Sequence, residues 1–307
     1  MAGTMAARAG TEAVTVEPRP GRRNYARRYG GFIAPAAIIV VAVILFPWVF
    51  TLYMSVESFQ VTGGHGFVGA DNYTGLVNDA RFLWSIVRTL YFTVLAVVAP
   101  MLLGIAAALC FHQRFKLRGL ARTIFILPMM ATPVAIALVW TMMFHPQLGV
   151  LNYLLTSLGL PPSQWVYSPD LVIPTLVGVE TWQWTPLVML IVLGGLASLP
   201  TDPYEAARID GANAWQTFRH ITLPLVWPFI VVALVIRTID ALKAFDTIFV
   251  ISGGGPGTSS ETLNILLYLT AFSFYDLGKA SAIVVLFFLL ILAISVVLLR
   301  VRRGSAA

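Results

Sequence analysis

Apolar residues dominate six stretches of the chain, at 32–54, 90–111, 123–144, 171–199, 225 to about 249 and 280–299, with short polar joints between them. A helix rises about 1.5 Å per residue, so about 20 apolar residues cross a hydrocarbon core of roughly 30 Å. Each stretch is therefore expected to be a membrane span. The fifth is the weakest, because Arg237, Asp240, Lys243 and Asp246 interrupt it soon after Ile236. Residues 263–274 are apolar but too short to cross, and are placed as a re-entrant or outer-face segment. The first stretch is too long for a signal-peptide core and has no small-residue cleavage site at its end, so it reads as a retained anchor.

Basic residues order the spans. Arg22, Arg23, Arg27 and Arg28 precede the first, and Arg114, Lys116, Arg118, Arg122, Arg208, Arg219, Arg300, Arg302 and Arg303 then fall on the same side. The opposite side carries only Arg81, Arg88, Lys243 and Lys279. The positive-inside bias puts both termini in the cytoplasm. Residues 1–28 are then a cytoplasmic tail, 29–303 a transmembrane domain and 304–307 a short C-terminal tail.

Composition agrees and excludes other classes. The 307 residues are 58% hydrophobic and 11% charged, against about 45 to 50% and about 25% in soluble domains. The single cysteine, Cys110, allows neither an internal disulfide nor a cysteine pair. His65, His112, His145 and His220 have no metal-ligand spacing. The net charge of +6 sits beside apolar runs and not in a stripe with interleaved aromatics, so no nucleic-acid partner is expected. No Gly-x4-Gly-Lys-Ser/Thr phosphate loop occurs, and the glycine-rich segment at 253–257 lacks a following lysine and reads as a turn.

The polar joint at 200–224 has a physical reading of its own. Asp202 suits an N-cap, Pro203 the first helical position and Glu205 the return arm of a capping box. The helix it opens stops at Gly211, and Asn213 with Gln216 caps a second helix carrying Trp215 and Phe218. Two short capped helices form a stiff knob, which either lies on lipid headgroups or docks in a partner.

Charged residues at membrane depth need a reason. Glu180 lies about 14 Å along the fourth span and Arg237 about 20 Å along the fifth, at nearly equal depth. Arg237, Asp240, Lys243 and Asp246 alternate in sign at i, i+3 spacing. With Trp182, Gln183 and Trp184 they form the mixture that a sugar site needs, an aromatic face and groups for hydroxyls. The other reading makes Glu180 and Arg237 a structural pair, Lys243 and Asp246 snorkelling residues, and the tryptophans an aromatic belt.

Glu205-Ala206-Ala207, three residues, Gly211, nine residues, then Ile221-x-Leu223-Pro224 resembles the EAA loop of permease subunits of binding-protein-dependent ABC importers. FVGADNY at 67–73, GVLN at 149–152, and FDTIFVISGGGPG at 245–257 followed by ETL at 261–263 resemble the sugar-permease branch related to maltose and glycerol-phosphate importers. The resemblance implies an all-α integral membrane protein of six transmembrane helices in the type I ABC importer permease fold. The joint would be its coupling helix, with Glu205, Ala206, Ala207, Asp210, Gly211 and Trp215 against an ATPase subunit. It further implies a second homologous permease, two cytoplasmic ATPase subunits that hold ATP and Mg, an extracytoplasmic solute-binding protein, and a bacterial inner-membrane location. The chain itself would be non-catalytic and without a cofactor. Glu180, Trp182, Gln183, Trp184, Arg237, Asp240 and Lys243 would contact the solute, a sugar, a polyol or an anionic sugar derivative. An ion-coupled transporter using Glu180 and Asp240 and an intramembrane lipid enzyme are the rival classes; neither accounts for the EAA pattern.

Overall fold

The computed structural model describes residues 22–60 and 63–304. The rest of the expected tails, at 1–21 and 305–307, lies outside them. Helix α1 (Arg22–Met54) includes residues 22–28 of the expected tail, and Pro35 and Pro47 do not interrupt it. Its apolar stretch Gly31–Ser55 is long enough to cross a bilayer.

Residues 51–307 form a second compact unit. It opens with a small antiparallel ribbon, β1 (Glu57–Phe59) against β2 (His65–Phe67), a minor departure from the all-helical expectation. The helices follow in order: α2 (Asp71–Val77), α3 (Ala80–His112), α4 (Arg118–Met130), α5 (Pro133–Met143), α6 (Val150–Ser157) and α7 (Val172–Ala197). After these come α8 (Asp202–Ile209), α9 (Ala214–Thr217), α10 (Leu223–Leu242), α11 (Asp246–Ser252), α12 (Leu263–Tyr268) and α13 (Leu277–Gly304).

The core is the seam of α3, α7 and α10. Phe92, Val97, Met101, Val188, Met189, Val192, Ile230 and Ala233 are buried in it. Small residues set the helix spacing: a Cβ on Gly104 would lie 2.6 Å from Val188, and one on Gly195 2.5 Å from Phe229. Lipid supplies little hydrophobic drive between spans, so close approach at glycine is how they adhere. A smaller cluster of Leu76, Phe82, Leu263, Leu266, Ile283 and Phe287 joins α2, α3, α12 and α13.

Two expected spans differ from the sequence reading. The third is not one helix; α4 and α5 meet at 95°. Proline forces the residue before it out of helical geometry, and Ala131 and Thr132 are both extended (ψ 150° and 140°) ahead of Pro133. The fifth ends at Leu242, not near 249, where Lys243 and the residues to Phe245 break it before α11. At its start it is longer than expected, running from Ala214 through a π-turn at Phe218–Thr222 to Leu242. Among the described residues five helices are long and apolar enough to cross, six if the bent pair counts as one span.

Candidate functional site

Pro100 lies inside α3, and a proline has no N–H for the carbonyl four residues earlier. That carbonyl belongs to Ala96, buried in the seam. Arg237 of α10 supplies the missing donor, its Nη2 reaching Ala96 O at 3.0 Å. The same nitrogen donates to Glu180 Oε2 of α7 at 3.3 Å, and the guanidinium lies 5.4 Å from the centroid of the Trp184 ring. One arginine thus ties three spans. Removing either charge would strand the other in a low-dielectric interior.

This node is the inner wall of a cavity of about 280 Å³ lined by Pro133, Glu180, Trp184, Arg237, Asp240, Lys243, Ala244, Phe245, Asp246 and Thr247. Of the seven residues that the sequence grouped, five meet there. Trp182 does not: it is 47% exposed and stands edge-on to Trp140 at 5.6 Å. Successive helical residues turn about 100°, so Trp182 and Trp184 point about 200° apart and cannot share a wall. Gln183 is 1% exposed, and neither atom of its amide has a hydrogen-bond partner among the described residues. Arg237 Nε is likewise unpaired. Such groups are rare in native cores. Pro133, Phe245 and Thr247 line the cavity without having been singled out. Pro133 arrives through the bend after α4, and Phe245 and Thr247 flank the break between α10 and α11.

The joint is built mostly from local bonds. Asp202 is not the cap: Thr201 precedes the helix with helical torsions (φ −83°, ψ −25°) and makes no side-chain cap bond, and Asp202 and Glu205 lie inside the first turn. Both carboxylates still favour the positive end of the helix dipole. At the far end Gly211 adopts φ +72°. Its amide bonds Arg208 O at 3.3 Å and that of Ala212 bonds Ala207 O at 2.9 Å, a complete Schellman stop. Asn213 and Gln216 form the expected capping box, with bonds of 2.8 and 2.9 Å. Tyr204 Oη donates to Thr222 Oγ1 at 3.2 Å, linking α8 to the π-turn. Glu205, Ala206, Asp210 and Gly211 are exposed, Trp215 is 65% exposed, and Ala207 faces inward, buried.

The other recurring segments hold loops. Asn152 Oδ1 accepts from Ser163 N at 3.0 Å and Trp165 Nε1 at 2.8 Å, while its Nδ2 donates to Pro146 O and Ser163 O. Asn72 donates to Ser55 O and Glu57 O, at 2.9 and 3.0 Å. At the end of the bundle away from the joint, Arg81 grips the buried Glu261 with two bonds, 2.8 and 2.6 Å. Lys279 pairs there with Asp79 at 3.0 Å. Partial burial pushes the Asp79 carboxyl up, but bonds from Lys279 and from the Arg81 amide outweigh it and hold it below the usual carboxylate range.

Residues 100–304, a stretch that includes the joint, Glu180 and Arg237, match the family described as binding-protein-dependent transport system inner membrane component. The chain belongs to that family. The permease is 37% identical over 276 residues to the trehalose/maltose transport system permease protein MalF of Thermococcus litoralis, covering 88% of this chain and 92% of the relative. It is 36% identical over 274 residues to the sulfoquinovosyl glycerol transport system permease protein SmoG of Agrobacterium fabrum, covering 88% and 89%. Its fold superimposes on a bacterial ABC transporter involved in the import of the acidic polysaccharide alginate, with a TM-score of 0.80 at 23% identity, over 92% of the permease and 98% of that chain. The type I importer permease fold is therefore the fold of this protein.

Proposed function

We propose that this permease forms half of the translocation pathway of an ATP-driven importer for a sugar or sugar derivative. A second homologous permease completes the pathway, two ATPase subunits act on the inner face, and a solute-binding protein delivers cargo from outside. The termini and the joint face the cytoplasm, in keeping with the basic residues gathered around them. Its energy comes from the partner subunits, since no phosphate loop occurs in this sequence.

The observation that carries the reading is the exposed joint. Its glycine stop and the Asn213–Gln216 capping box make it stiff, and its EAA residues Glu205, Ala206, Asp210 and Gly211 are exposed, with Trp215 beside them. Rigid-body motion of a closing ATPase can pass through such an element to α10, because α9 runs into that span without a break. Glu180, Trp184, Arg237, Asp240 and Lys243 form this chain's share of the solute pathway, and the names of the two relatives support a glycoside as cargo.

Glu205→Lys or Gly211→Asp tests the coupling role in the assembled complex. Both variants are expected to insert and fold, and to lose solute uptake and solute-stimulated ATP hydrolysis together. Normal pumping by both would remove it. Uptake that persists without any ATPase subunit would instead mark an ion-coupled transporter.

A further inference from the structure

The charges around the cavity are not equally available to a guest. Arg237 is 1% exposed and lies in the wall. Its Nη2 serves Ala96 O and Glu180, and its plane lies against Trp184. Turning outward would leave the Ala96 carbonyl without a donor, because position 100 has no N–H to replace it. Glu180, 4% exposed, is held in the same pair. What remains is Asp240, half-buried, with Asp246 and Lys243, both exposed. None of these three lies within salt-bridge distance of another charged side chain among the described residues.

We propose that the cavity admits an uncharged polyhydroxylated solute and disfavours an anionic one, with Pro100 as the positioning residue that keeps Arg237 in the wall. Two carboxylates and one ammonium face the guest. Hydroxyls can donate to the first and accept from the second, whereas a sulfonate or phosphate meets an excess of like charge. Phe245, stacked on Phe249 at 5.0 Å, adds an apolar face for a pyranose ring. This rests on the reading of the protein as a sugar permease, and it decides between the two kinds of cargo, uncharged and anionic, that its relatives' names carry.

The test uses the complete importer in proteoliposomes with its binding protein and ATP. Maltose and trehalose are the uncharged probes, glycerol 3-phosphate and sulfoquinovosyl glycerol the anionic ones. An uncharged probe should enter at least about tenfold faster than any anionic probe. An anionic probe that enters as fast or faster overturns the charge inference and leaves the importer reading standing; ATP-driven uptake of neither kind removes the sugar reading itself. Pro100→Ala returns an N–H to Ala96 and so releases Arg237 from that carbonyl, and Asp246→Asn removes a facing carboxylate. Each should raise the anionic-to-uncharged uptake ratio, by about tenfold. A purely structural role would lower both rates together and leave the ratio unmoved. An unchanged ratio in both variants refutes the proposal.

Discussion

The joint at 202–222 and the node around Arg237 both satisfy polar groups that would otherwise be left unpaired, at opposite ranges along the chain. In the joint, partners lie mostly three to five residues apart: Asn213 with Gln216, Gly211 with Arg208, Ala212 with Ala207. At the node they lie 57 and 141 residues apart, on three different spans. A local element keeps its shape while its neighbours move. A long-range node exists only while its spans stay packed. The joint is therefore suited to transmit motion, and the node to register the arrangement of the spans.

Breaking the node should have the largest effect. Arg237→Ala leaves Glu180 charged and the Ala96 carbonyl unpaired, and is expected to destabilise the fold by about 3 to 5 kcal/mol, read by thermal unfolding in detergent. Replacing both Glu180 and Arg237 by apolar residues of similar volume should recover most of that loss. Overpacking the seam comes next. Gly104→Val forces α3 away from Val188 and should destabilise by about 1 to 3 kcal/mol in the same measurement, reducing uptake with it. The joint should be the most forgiving. Asn213→Ala removes one arm of a surface capping box and is expected to change stability by about 1 kcal/mol. Solute-stimulated ATP hydrolysis should fall more than stability does, since a frayed joint transmits less. A variant of Asn213 as damaging to unfolding as Arg237→Ala would erase the contrast.

Much of the permease was legible in its sequence because the relevant signals are local. Run length and polarity located the spans, and the Gly211 stop and the Asn213 box followed from side-chain chemistry. Even the break in the third span had its cause in view, at Pro133, though hydropathy hid it: Ala131 and Met130 are apolar whatever their torsions. The Asp202 cap failed by one residue, because Thr201 adopts helical torsions first. Among the deep residues, depth was readable and direction was not. Glu180 and Arg237 were expected at one level and stand 3.3 Å apart, whereas Trp182, two residues from Trp184, points elsewhere.

Sequence by itself determined which segments are apolar enough to cross a bilayer, that Glu180 and Arg237 stand at one level, and how the joint stops at Gly211 and restarts at Asn213, since all three depend on neighbours within a few residues. Tertiary structure alone decided which way each span is turned about its axis. That choice set the partner of Arg237, joined Arg81 to Glu261 across 180 residues, and excluded Trp182 from the cavity. The energy difference between helix orientations comes from side chains on other spans, and no window along a single chain segment contains it.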